Sequence, residues 1–139
     1  MPGRVKGIVL DAWSVMAYLQ DEPAGKTVAD IIADTHENGG SVLMTVANAG
    51  EVWYILAREV SEVEAESSIA DLLSIGVKLV DIDWELTRIA AKFKSRGRMS
   101  YADAYAAALA KQQKYELVTG DMEFSALDGE VKIRWLTNK

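Results

Sequence analysis

The sequence predicts an α/β protein, a parallel sheet layered between helices on both faces. Three observations predict it. Short apolar runs alternate with longer amphipathic stretches along the whole chain. Half of the 139 residues are apolar and only two are proline, the composition of a globular chain with a full core. Residues 100–124, SYADAYAAALAKQQKYELVTGDMEF, show the repeating unit most clearly: a serine-capped, alanine-rich helix, then an apolar run stopped by Gly120-Asp121. No repeat, linker or low-complexity tract interrupts the pattern, so residues 1–139 read as one domain.

Taken in order, residues 7–10 read as a buried strand ending at Asp11, and 14–19 as a short helix closed by the turn Asp21-Glu22-Pro23. Residues 26–37 carry Val28, Ile31 and Ile32 at helical spacing and stop at Gly39-Gly40. A second strand over 41–45 leads to Asn48 and a helix bearing Glu51, Val52, Trp53, Ile55 and Leu56. Residues 62–73 form another amphipathic helix ended by Gly76. A third strand over 77–80 precedes a helix over 84–94 with Leu86, Ile89, Ala90 and Phe93 inward. The helix opened by Ser100 ends at Lys114, a fourth strand covers 116–119, and a fifth covers 132–135 after the turn at Asp128-Gly129.

Composition narrows the chemistry. With no cysteine there are no disulfides, zinc-thiolate sites or thiol nucleophiles. The single histidine, His36, lies in the polar segment ADTHENGG and reads as a solvated helix end, which leaves carboxylates as the rich source of reactive groups. Arg4 and Lys6 precede an apolar stretch that Asp11 interrupts, too short for a signal peptide or membrane span, so a cytoplasmic protein is expected. The net charge of −6 argues on its face against a nucleic-acid partner, but four acids gathered on a cation would leave only −2.

Four acids can converge in this topology. A helix that feeds a parallel strand begins at the edge where strands end, so Asp103 and Asp121 face one crevice. Asp11 directly follows the first strand, and Glu51 lies early in the helix after the second. Converging carboxylates repel unless protons or cations intervene, and an open oxygen-rich site suits Mg²⁺ or Mn²⁺. Such an ion activates water and steadies charge developing on a phosphodiester. Each acid also has a structural alternative. Asp103 stands three after Ser100 and Glu51 three after Asn48, the spacing of helix caps, while Asp11 and Asp121 stand where turn formers stand.

The segments around these acids, VLDAWSVMAYL, VANAGEVWYIL, MSYADAYAAALA and LVTGDMEF, together with QDEPAGKTVADII, resemble the PIN domain, a metal-dependent ribonuclease fold. They are most similar to the VapC-type toxins of toxin–antitoxin pairs. The resemblance implies a three-layer domain with five parallel strands and a Mg²⁺ or Mn²⁺ site held by Asp11, Glu51, Asp103 and Asp121. It further implies an endoribonuclease acting on RNA, a cognate antitoxin and a homodimer. Thr119, two before Asp121, matches the family's small polar residue, whereas Trp13 stands where members usually carry a small hydroxyl residue, with Ser14 one further on. Glu123 is read either as reaching a second metal or its water shell or as a solvent-facing residue.

Other features have two readings each. Lys92, Lys94, Arg96 and Arg98 are either a phosphate-contacting rim or cations complementing a helix end. Trp53 and Tyr54 either stack a base or pack in a core or interface, and Glu59, Glu62, Glu64 and Glu66 read as a solvated face. Two rival functions share the architecture. An aspartate-nucleophile phosphatase needs a second Asp where Trp13 stands, and a non-catalytic RNA- or protein-binding module has no need of four acids.

Overall fold

In the computed structural model, which describes residues 6–137, the apolar runs form β1 (Ile8–Leu10), β2 (Val42–Thr45), β3 (Val77–Val80), β4 (Glu116–Thr119) and β5 (Ile133–Trp135). Arg4, one of the two cations read before the first strand, lies outside the described residues. Neighbouring strands all pair in parallel, in the order β3-β2-β1-β4-β5. β1 is central, and the chain winds outward from it first one way and then the other. That reversal, between β1 and β4, is where open α/β sheets form a ligand crevice.

Helices α1 (Ala12–Leu19), α2 (Pro23–Glu37), α3 (Val46–Glu59) and α4 (Glu62–Ser74) cover one face; α5 (Trp84–Ser95) and α6 (Tyr101–Gln113) cover the other. Period-two alternation along the strands divides the core. Ile8, Leu10, Val42, Met44 and Val118 pack with the first four helices, and Val9, Leu43 and Leu117 with the last two. The fold is therefore a three-layer α/β/α arrangement on a five-stranded parallel sheet. The alanines of α6 are buried almost without exception, which lets that helix sit close against the sheet. No helix among the described residues is long and apolar enough to cross a membrane.

Several boundaries move for identifiable reasons. α1 begins at Ala12, ahead of the expected residue 14, because Asp11 itself is its N-cap. α2 begins at Pro23 because proline suits the first position of a helix, whereas the sequence reading placed it in the turn. α3 is capped by Thr45, the last residue of β2, so Asn48 is not the cap proposed for the helix of Glu51. The short helix Met122–Leu127, a 3₁₀ segment capped by Asp121, was absent from the sequence reading.

The largest correction concerns α5. Thr87 contacts Tyr105 and Phe93 contacts Lys111, at the same sequence offset of 18, so α5 and α6 run side by side in the same direction. Both begin at the C-terminal edge of the sheet. The chain therefore returns along the domain through residues 96–100, which begin as a turn and include the buried Met99. The last turn of α5, with Lys92 and Lys94, ends at the far edge. Arg96 is tied there to Glu130 (2.7 Å), which also holds Lys111 (2.9 Å) at the C-terminal end of α6.

Candidate metal centre

Asp11 leaves β1 and turns straight into α1, and its carboxylate is fixed at both oxygens. Oδ1 accepts the Ser14 N–H (2.9 Å) and Oδ2 accepts the Thr119 hydroxyl (2.5 Å). The Ser14 hydroxyl donates to the Asp11 carbonyl instead (3.1 Å), so Ser14 supports the carboxylate through its backbone. Thr119 in turn accepts the Asp121 N–H (3.0 Å). One buried hydroxyl thus links the carboxylate after β1 to the backbone after β4. Asp121 Oδ1 accepts the Glu123 N–H (3.0 Å), which turns the chain into the 3₁₀ segment.

Asp103 arrives on the first turn of α6 and Glu51 on the second turn of α3, and a buried amide holds the starts of the two helices together. Asn48 donates from Nδ2 to the Ala102 carbonyl (3.0 Å), and its Oδ1 accepts the Thr45 hydroxyl. Asn48 lies one turn before Glu51, and Ala102 is next to Asp103. The sequence reading missed this brace; the available signal was a polar Asn three residues after the strand-end Thr45, and the structure buries it fully. Asp103 also takes part in the cap of α6, where its N–H donates to Ser100 Oγ (3.1 Å). Asp11 and Asp121, read as turn formers, cap the segments they begin, whereas Asp103 joins the cap of α6 only through its backbone N–H and Glu51 caps nothing.

These side chains sense one another. Burial first, then the charges of Asp121, Asp11 and Glu51, push Asp103 up to about 7. Burial pushes Asp11 up to about 6 against the lowering effect of its hydrogen bonds from Thr119 and Ser14. Glu51 is raised by burial and then by the Asp121 charge. Carboxyl groups of Asp103, Asp121 and Glu123 each offer an oxygen within 4.8 Å of the others, with Glu123 on the exposed side. Among the described residues, Glu51 Oε1 is the one buried side-chain polar atom without a hydrogen-bond partner.

That orphaned oxygen tests the fit of a cation. A buried carboxylate oxygen without a donor is costly, and a cation among hard oxygen ligands satisfies it. The donor set is all carboxylate, it has no thiolate or imidazole, and burial and mutual repulsion raise the pKa values of its acids, which a bound cation would offset. It suits Mg²⁺ or Mn²⁺. The cleft above it, about 450 Å³, is lined by Trp13, Glu51, Ser100, Asp103, Asp121 and Glu123 among others. Concavities of about 410 and 490 Å³ lie at the opposite edge, so chemistry rather than size marks this cleft.

Residues 8–130 match the PIN domain family. The chain belongs to that family. No curated protein sequence matches it. Among solved structures, VapBC2 from Rickettsia felis, bound to a DNA fragment from its promoter, superposes with a TM-score of 0.74 at 13% identity, over 94% of this chain and 99% of that one. VapC20 of Mycobacterium tuberculosis, a toxin that cleaves the sarcin–ricin loop, gives 0.68 at 22% identity, over 86% and 93%. FitAcB from Neisseria gonorrhoeae gives 0.64 at 22% identity, over 91% and 95%. At these identities the shared property is the fold, and this PIN domain carries its acids where that fold has its crevice.

The remaining sequence candidates separate. Lys92, Lys94 and Arg96 stand at the far end of α5, and Arg96 is held by Glu130, so these three do not rim the crevice. Arg98 is exposed on the segment returning to Ser100. Trp53 donates its indole N–H to Glu66 Oε1 (2.9 Å) and packs against the core, which removes it as a base platform and makes Glu66 more than a solvated acid. Tyr54 is exposed beneath the Arg58 guanidinium. His36 is exposed in the last turn of α2, as a helix-end residue should be.

Proposed function

We propose that this PIN domain is a Mg²⁺- or Mn²⁺-dependent endoribonuclease that hydrolyses RNA phosphodiesters at the Asp11–Glu51–Asp103–Asp121 cluster. The observation that carries the reading is the Glu51 oxygen, buried without a donor beside acids that raise one another's pKa. Glu51, Asp103 and Asp121 would hold the cation, with Asp11 behind them and Glu123 on the solvent side. Bound there, it would supply the positive charge that favours ionised water and offsets charge developing on the phosphate.

The chain's own residues do the rest. Asp11 is immobilised by Thr119 and Ser14, so its charge stays at a fixed point at the base of the cleft. Asp103 holds a proton on its carboxyl group near neutrality while the cluster is uncompensated, and releases it when positive charge arrives. The Asn48 brace keeps Glu51 and Asp103 in one orientation, which lowers the reorganisation needed when RNA binds. Arg98 is the cation of the basic run best placed to meet substrate phosphate.

A toxin role with a cognate antitoxin is supported by the toxin–antitoxin proteins that share the architecture, and we extend it to a homodimer acting in the cytoplasm within one domain of residues 1–139. Purified protein, freed of any inhibitor, should cleave single-stranded or structured RNA with Mg²⁺ or Mn²⁺ and not with EDTA. Asp103→Asn should abolish cleavage with the fold retained. A folded variant that cleaves normally would contradict this function. Light scattering of the pure protein tests the dimer.

A further inference from the structure

We propose that Trp13 is a positioning residue for Asp121, acting by clamping the Gly120 peptide. This rests on the reading of the acid cluster as a cation site. Trp13 opens α1 two residues after Asp11, and its half-buried ring lines the cleft. A Cβ built on Gly120 would lie within 2.6 Å of Cη2, Cζ2 and Cζ3 of Trp13. The six-membered ring of the indole therefore occupies the space a side chain at 120 would enter, and any such side chain would collide with it.

Gly120 stands between the two residues that matter most. Thr119 bonds Asp11, and Asp121 enters the cluster. From inside, the segment is held by the Thr119 hydroxyl on the Asp121 N–H and by the fully buried Phe124. From outside, it is held by the Trp13 ring. A small hydroxyl side chain at position 13 has no atoms that reach this far, whereas the indole spans the gap by size. Ring and glycine form a matched pair, and the match restricts the direction in which the Asp121 carboxylate leaves the backbone.

The test is a double-mutant cycle read two ways: amide exchange of residues 119–123 in metal-free protein, and calorimetric Mn²⁺ affinity. Trp13→Ala should speed exchange of the Asp121 amide at least tenfold and weaken Mn²⁺ about fivefold or more. Gly120→Ala should weaken Mn²⁺ at least tenfold by pushing against the ring. The double variant, in which the new methyl enters space the ring has left, should bind Mn²⁺ more tightly than Gly120→Ala alone. Trp13→Phe, which keeps an aromatic cover, should stay within about threefold of wild type and guards against a variant that fails to fold. Wild-type exchange and affinity in Trp13→Ala, or strictly multiplicative losses in the double variant, would overturn the clamp. A wild type that takes up no Mn²⁺ would instead overturn the cation site, and the exchange rates would still decide the clamp.

Discussion

Neutralising Asp103 isolates the electrostatic cost of gathering four acids. Its folded pKa is about 7 against an ordinary value of 3.8. Well below 3.8 the group is protonated in folded and unfolded chains alike. Between 3.8 and about 7 only the folded chain keeps the proton, so stability falls as pH rises, and above about 7 the whole loss is present. Three pKa units correspond to roughly 4 kcal/mol, and solvent screening in the open cleft reduces this to about 2 kcal/mol. Asp103→Asn removes the charge but keeps the backbone bond to Ser100. At roughly 4 °C per kcal/mol for a domain of this size, the metal-free variant should melt about 8 °C above wild type at pH 8. At pH 3 the two should melt together. Millimolar Mg²⁺ should raise the wild type at pH 8 and do little for the variant. Melts at both pH values, with EDTA and with Mg²⁺, decide the matter. A destabilised variant at pH 8 combined with a Mg²⁺-insensitive wild type would mean that the acids are independent caps.

Three further outcomes are expected. Thr119→Val should destabilise the protein by about 2 kcal/mol in urea melts, because it strips partners from the Asp11 carboxylate and the Asp121 amide together, and it should weaken Mn²⁺ binding in calorimetry. Asn48→Ala should cost about 2 kcal/mol in the same melts and reduce RNA cleavage at least tenfold, since Glu51 and Asp103 lose their common brace. Changing Lys92, Lys94 and Arg96 together to Ser should leave the salt dependence of RNA affinity unchanged, measured by filter binding; a flatter slope would return them to the crevice rim.

The parts of the fold legible in the sequence are those fixed by local patterns. Ser100 and Lys114 bracket α6 as read, Lys114 adopting the left-handed conformation that ends the helix, and the strand after it has the expected bounds. Strand-end acids and helix-start acids are placed at one edge by topology, which is why a sequence pattern points to Asp11, Glu51, Asp103 and Asp121 together. What escaped depends on long-range contacts. The parallel course of α5 and α6 turns on Tyr105 meeting Thr87 and Lys111 meeting Phe93, and it carries Lys92, Lys94 and Arg96 away from Asp103 although only a few residues separate them in sequence. Thr45 reads as a strand residue and becomes a helix cap; Asn48 reads as a cap and becomes a brace. Trp13 reads as a departure from the family pattern, and only its contact with Gly120 gives that departure a physical meaning.

Anomalous diffraction from crystals grown with Mn²⁺ tests the shared site most directly. The expected result is a peak bounded by carboxylate oxygens of Asp103, Asp121 and Glu51, with Glu51 Oε1 no longer unpartnered. A map with no peak in this cleft at millimolar Mn²⁺, or with the ion bound elsewhere on the molecule, would contradict it.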